Sequence, residues 1–271
     1  MEAIMTKAEQ RSPVIIKSGG QKLFGILHRP DSDTKCPAVI IVHGFASHKI
    51  GTNRSWVLLA EALRESGVAV LRFDQRGFGD SEGDFSELAI EDMVDDIEAA
   101  LGYMQNLEGI DKERIALFGS SLGGALSVLA ATKTKSICAL ALWAPVASGP
   151  LWVADWFKAN PALATAADPS KALSSYRGVS LSSRFQEQFR QLSAVDALME
   201  LSDLPLLHMH GEDDDVVSMQ HQKAYRLARK NARADSLFVT YPKTKHFLGY
   251  EAIFAQALTT YVEWFTKTLS A

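Results

Sequence analysis

The 271-residue sequence predicts an α/β fold, a mostly parallel eight-stranded sheet with helices on both faces. Three observations carry that expectation. Short apolar runs rich in β-branched residues alternate with longer stretches of helical periodicity, the pattern of strands paired in parallel through right-handed crossovers. Several short runs are apolar at every position, as in Ala-Val-Ile-Ile-Val at 38–42, so those strands expect cover on both faces. The alternation fails once, over 146–201, a stretch too long to be a structureless connection. It reads as an inserted helical cap that divides a core of residues 1–145 and 202–271.

Taken in order, the strand candidates are Val14–Lys17, Leu23–His28, Ala38–Val42, Ala69–Phe73, Ile115–Phe118, Ala139–Trp143, Leu204–His210 and Leu237–Tyr241. The first two are joined too tightly for a crossover and are expected to form an edge hairpin. Between the others lie helical patterns at Trp56–Glu65, Ile90–Gln105, Leu122–Thr132, Gln220–Lys230 and Glu251–Leu269. In the second, Ile90, Met93, Val94, Ile97, Ala100 and Leu101 recur on one face while Glu91, Asp95 and Glu98 face away. Within 146–201, Pro161–Ala172 and Arg177–Ser183 read as loops or helix ends, and Trp152, Trp156, Phe157, Phe185 and Phe189 are scattered between them.

Lys plus Arg number 28 against 32 Asp plus Glu, a net charge of −4, which argues against a nucleic-acid-binding body or one that binds anionic membranes. No apolar run approaches the roughly 18 residues of a membrane span. Met1–Gly20 has no long apolar stretch leading to a small-residue cleavage site. Two cysteines, Cys36 and Cys138, make no disulfide framework and read as free thiols, in keeping with a cytoplasmic location. No cofactor is implied, and a homodimer is compatible with the sequence.

The chemistry concentrates in Phe118-Gly-Ser-Ser-Leu-Gly-Gly124, which follows an apolar strand and opens a helix. A serine on such a sharp strand-to-helix turn projects its hydroxyl from the sheet, and the residues two before and two after must be small. Ser121 has Gly119 and Gly123 at those places, whereas Ser120 has Phe118 and Leu122. A hydroxyl needs an adjacent base oriented by an acid, and in this architecture the order is serine, acid, histidine. His246, in a loop just after the last strand, is the expected base. His221 lies in the polar helical pattern Gln220-His-Gln-Lys223 and reads as solvated. The acid comes from Glu212-Asp213-Asp214-Asp215, directly after a strand; three adjacent aspartates cannot all point at one imidazole, and residue types alone leave the choice open. Backbone donors for an oxyanion are expected from Leu122, at a helix N-terminus, and from Phe45 in the His43-Gly44-Phe45-Ala46 loop, where His43 reads as structural.

The set His43-Gly44-Phe45, Asp74-Gln-Arg-Gly-Phe-Gly-Asp-Ser81, Gly119–Gly123, Gly211–Val217 and His246 resembles the α/β-hydrolase superfamily over nearly the whole chain. Within it the closest resemblance is to small esterases of the cinnamoyl/feruloyl esterase and serine-aminopeptidase-like type, which carry a compact cap after the sixth strand. The resemblance places the acid at Asp214, with Asp213 second, and makes the Asp74–Ser81 loop structural, tied down by Asp74 and Arg76. It implies a serine esterase that forms a covalent acyl-enzyme on small-molecule esters, short-to-medium acyl or hydroxycinnamoyl. Thioesters, monoacylglycerols and small amides suit the same machinery.

Two competing readings are weaker. His208-Met-His210 followed by acids invites a metal, but a hydrolytic zinc site needs three well-placed ligands and no second cluster accompanies this pair. An inactive scaffold would usually have lost a member of the serine–acid–histidine set. For substrate contacts, Trp152, Trp156 and Phe157 are candidates, the alternative being that the cap aromatics only pack the cap onto the body. The Ser47–Arg54 loop is a further candidate, in which Lys49 and Arg54 read equally well as solvated charges.

Overall fold

A hairpin opens the sheet at one edge: β1 (Arg11–Ser18) pairs antiparallel with β2 (Gln21–His28), around a turn at Gly19 and Gly20. The computed structural model describes residues 10–161, 174–176, 179–247 and 251–270. Next come β3 (Cys36–Val42), α1 (Ser55–Glu65), β4 (Ala69–Phe73), α2 (Ile90–Gln105), β5 (Ile110–Ser120), α3 (Leu122–Lys133) and β6 (Ile137–Trp143). The chain then leaves the sheet for α4 (Gly149–Ala159), a two-residue hairpin β7 (Ser175–Tyr176) and β8 (Val179–Ser180), α5 (Ser183–Gln191) and α6 (Ala194–Glu200). It returns through β9 (Leu206–Gly211), α7 (Met219–Ala228), β10 (Ser236–Tyr241) and α8 (Glu251–Leu269).

The eight-stranded sheet runs β1-β2-β4-β3-β5-β6-β9-β10. Pairings that involve β2 are antiparallel and all others are parallel, so the predicted fold class and edge hairpin hold. Strand β3 shows why its sequence is apolar throughout. Val39 and Ile41 pack with Leu59 and Leu63 of α1 and Phe265 of α8, while Ala38, Ile40 and Val42 pack on the other face with Ile97 and Leu101 of α2 and Leu126 of α3. Helix α3 carries apolar residues nearly all round because it is covered on both sides, by the sheet and by α2 and α6. Among the described residues no helix is long and apolar enough to cross a membrane. Residues 162–172 of the expected loop, and residues 1–9 of the expected leaderless N-terminus, lie outside the described residues.

Parallel pairing has one consequence for chemistry: the C-terminal ends of β3, β5, β6, β9 and β10 all emerge at the same edge of the sheet. The loops after them carry His43–Ala46, Ser121, Ala144, Asp214 and His246.

Candidate active site

Ser121 sits between β5 and α3 with φ 55° and ψ −123°, a conformation that L-residues rarely adopt. The turn is held from three directions. The Ser121 N–H donates to the Trp143 carbonyl (2.9 Å), and the Ser121 carbonyl accepts from Gly124 (3.0 Å) and Val146 (3.1 Å). The flanking glycines are required by contact: a Cβ at Gly119 would stand 2.6 Å from Gly124 Cα, and one at Gly123 would overlap the Val42 and His43 carbonyl oxygens. The small residues expected from the spacing therefore let α3 start directly against β5 and β3.

The histidine arrives from the other side. After β10, the chain turns through Thr244, whose carbonyl accepts from the Asp213 N–H (3.0 Å), and the indole N–H of Trp143 donates to the His246 carbonyl (2.8 Å). His246 is thus pinned to both β6 and the loop after β9. Its Nδ1 is 2.7 Å from Asp214 Oδ2, and both groups are buried. An ionised Asp214 makes Nδ1 the protonated nitrogen and leaves Nε2 basic.

Among the acidic neighbours, the structure brings Asp214 alone to the imidazole. Glu212, Asp213 and Asp215 are exposed, and Asp215 pairs with Lys245 (2.9 Å). Asp214 Oδ1 accepts from the Val216 and Val217 amides (2.9 and 2.8 Å), and Oδ2 has His210 Nε2 at 3.4 Å besides His246. Burial works against ionisation, but the donors from His210, His246 and Val217 prevail and hold the carboxyl well below the usual carboxylate range.

The pair His208 and His210 is absorbed by this support. His210 Nε2 lies 2.8 Å from the Val217 carbonyl and its Nδ1 is 3.2 Å from His208 Nε2. Among the described residues no group of three metal-ligating side chains converges. His43 is structural as expected: its Nδ1 is 2.8 Å from the Gly44 carbonyl and its Nε2 accepts from the Gln75 amide (3.1 Å), while burial pushes its pKa down. The Asp74 loop is structural too. Asp74 accepts from Lys49 N–H (2.6 Å) and Asp80 N–H (3.0 Å), and Arg76 pairs with buried Asp96 (2.6 Å).

Two polar side chains differ from expectation. Lys49 is neither a solvated charge nor a cavity residue: its ammonium is pinned between Asp74 (2.5 Å) and Asp80 (2.6 Å), which fastens the loop after β3 to the loop after β4. His221 is fully buried, not solvated. Its polar sequence neighbours hid the fact that α7 turns this position against the start of the insertion, where Nδ1 accepts from the Ala147 N–H (2.8 Å).

Ser121 and His246 both open onto a cavity of about 470 Å³, within the range of small-molecule sites. Leu122, Gly44 and Phe45 line it beside them, with Gly44 packed against Ser121. His48, Thr52, Ser55 and Trp56 form a side wall, which gives the 47–54 loop its place at the cavity; Arg54 does not line it. Opposite stand Trp152, Trp156, Leu181, Phe185 and Phe189 of the insertion. Phe157, a candidate on the sequence, is not among the described lining residues, since it stands one position past Trp156 on α4, about 100° round the helix. Phe185 stacks on Phe45 at 5.1 Å and on Phe189 at 5.7 Å, packing residues 146–201 onto the sheet side, and all three rings also line the cavity. The sequence reading missed Trp143 and Trp56. Trp143 was findable, as the last residue of a buried strand at the functional edge.

A sequence profile of the serine aminopeptidase, S33, family (Hydrolase_4) matches residues 33–200. The chain is 32% identical over 232 residues to the uncharacterized protein YfhR of Salmonella typhimurium, covering 83% of this chain and 72% of YfhR. It is 32% identical over 134 residues to the quorum-quenching protein AidA of Acinetobacter baumannii, covering 49% of this chain and only 43% of AidA. The match to an uncharacterized 31.7 kDa protein of Escherichia coli likewise spans 37% of that relative. Among solved structures, Est1E from Butyrivibrio proteoclasticus with ferulic acid bound superposes with a TM-score of 0.79 and 26% identity, over 95% of this chain and 100% of that one.

Proposed function

We infer the chemistry from a family premise: this chain belongs to the serine aminopeptidase S33 family of α/β-hydrolases, and is a hydrolase. We propose that it cleaves carboxylic esters with Ser121 as nucleophile, His246 as general base and acid, and Asp214 as the orienting carboxylate. The observation that carries this reading is that His246, 2.7 Å from Asp214, lines one cavity together with the strained Ser121.

In the first step Ser121 Oγ attacks the ester carbonyl carbon while His246 Nε2 takes its proton. The carbonyl oxygen becomes an oxyanion, held by the Leu122 amide at the start of α3 and the Phe45 amide across from it. The tetrahedral species then collapses: the carbon–oxygen bond to the alcohol breaks, and His246 returns the proton to the leaving oxygen. Water repeats the sequence on the acyl-serine and releases the acid and free Ser121. Asp214, held ionised, keeps His246 in the productive tautomer and stabilises the imidazolium that forms twice per cycle.

Residues 146–201 act in this reading as a cap, whose aromatics receive an apolar acyl or aryl group. Short-to-medium acyl esters and hydroxycinnamoyl esters are the proposed substrates; that ferulic acid is bound in the similar Est1E structure supports the latter. The test is a fluorophosphonate probe with peptide mapping, beside a p-nitrophenyl ester series and methyl ferulate. An adduct on Ser121 with ester turnover is expected. Folded protein left unlabelled at Ser121 and inert to every ester overturns the proposal.

A further inference from the structure

Helix α4, the first of the cap, presents Trp152, Asp155 and Trp156 at the three- and four-residue spacing that puts them on one face. The two indoles stack at 5.4 Å and line the cavity. Between them, Asp155 reaches the core: its Oδ2 accepts from the Ser218 N–H (2.9 Å) and lies 3.4 Å from His221 Nε2. Ser218 directly follows Val217, whose amide holds Asp214.

His221 has a second role on its other nitrogen. Nδ1 accepts from the Ala147 N–H, where the chain leaves the core for the cap, and one turn further along α7 the Tyr225 hydroxyl donates to the Val146 carbonyl (3.2 Å). The Val146 N–H in turn donates to the Ser121 carbonyl. Because Nδ1 must be an acceptor, His221 is neutral with its proton on Nε2, facing Asp155. Burial lowers its pKa to about 4, in accord with that state. One imidazole therefore holds the base of the cap through Nδ1 and places Nε2 3.4 Å from the first cap helix's Asp155, outside a formed hydrogen bond, and Asp155 ties that helix to the strand-end loop that carries Asp214.

We propose that half-buried Asp155 and buried His221 form a latch that fixes where Trp152 and Trp156 stand over the site, and so act as positioning residues for selection of the acyl or aryl group. This specificity role rests on the esterase reading above; the latch itself does not. A merely structural pair would alter stability and all substrates alike. A latch that positions the indoles alters large substrates and spares small ones, because acetate does not reach the roof.

The test uses the full chain with Asp155→Ala, Asp155→Asn, His221→Leu and His221→Gln. Hydrogen exchange reads the latch without turnover: Asp155→Ala is expected to speed exchange at Ser218 and His221→Leu at Ala147, each by at least about tenfold for one lost charged or buried hydrogen bond. In kinetics, Asp155→Ala is expected to lower kcat/KM for p-nitrophenyl octanoate and methyl ferulate about tenfold, through KM, with p-nitrophenyl acetate within about twofold. Asp155→Asn and His221→Gln keep an acceptor atom at each position, an amide oxygen in place of the carboxylate oxygen or of Nδ1, and are expected to recover most of the loss; they also replace the harsher variants should those fail to fold. Wild-type exchange at Ala147 and Ser218 in the variants overturns the latch. Equal losses on acetate and octanoate overturn the positioning role. An unlabelled Ser121 with no ester turnover in the wild-type chain overturns the esterase reading instead, while exchange still decides whether the latch exists.

Discussion

At the floor of the cavity, Ser121, Asp214 and His246 are held by the main chain: carbonyls and amides of Trp143, Val146, Val216 and Val217, and a Trp143 indole bonded to the His246 carbonyl. Above it, Trp152, Trp156, Phe185 and Phe189 meet one another ring against ring, with Phe45 as the contact from below. Main-chain bonds at the ends of parallel strands permit one arrangement, and reaction geometry tolerates little displacement. Packed aromatic faces accept volume changes more readily, at the cost of shape. On the proposed esterase reading, the difference means that the floor and the roof answer to separate changes: the floor to chemistry, the roof to choice of substrate.

Removing the proposed nucleophile tests the floor most severely. Ser121→Ala is expected to lower kcat on the order of 10⁶-fold, with thermal unfolding unchanged; a variant that keeps turnover moves the chemistry away from this serine. Next in size, Asp214→Asn is expected to cost about 10⁴ in kcat by fixing the wrong tautomer on His246. Asp213→Asn, on an exposed neighbour, is expected to stay within about twofold, and the reverse pattern in steady-state kinetics would reassign the acid. On the roof, Trp156→Ala is expected to reduce kcat/KM for aryl and octanoyl esters about tenfold and for acetate about twofold or less, the loss of one aromatic contact. Equal losses would merge the two regions into one functional unit.

A last expected effect concerns stability against pH and sharpens the comparison from below. Burial lowers His28 to about 3 and His221 to about 4, and pushes His43 and His208 down as well. The unfolded chain binds protons there that the native chain refuses, so stability falls as pH drops from about 6.5 toward 4, by about 1.4 kcal/mol per pH unit for each such proton. Asp214, depressed in the folded state, adds a loss below the ordinary carboxylate pKa. Urea unfolding between pH 4 and 6 should show a slope of at least two protons, and His28→Gln should remove one. A flat profile would mean that these imidazoles are not neutral in the fold.

Much of this is legible in the sequence, and the reasons are local. Helix α2 and helix α8 fall where periodicity places them, at Ile90–Gln105 and Glu251–Leu269, because a face of regularly spaced apolar residues has few other ways to be buried. Ser121 was legible because a sharp turn demands small neighbours, and that demand is written at fixed spacing. Asp214 was not distinguishable from Asp213 or Asp215 by residue type and needed the family resemblance; what singles it out is a side chain turned inward onto two amides and two imidazoles. His221 and Lys49 were misread for the same reason: a polar stretch hides which position a distant segment will cover.

By itself, then, the sequence determined the alternation of strand and helix, the edge at which loops gather and the serine on its bend, since each depends on contacts within a few residues. Only the tertiary structure decided which aspartate meets His246, which imidazoles are buried and which aromatics face the cavity. Those outcomes depend on side chains from strands far apart in the chain competing for one enclosed volume, and no local pattern records who wins.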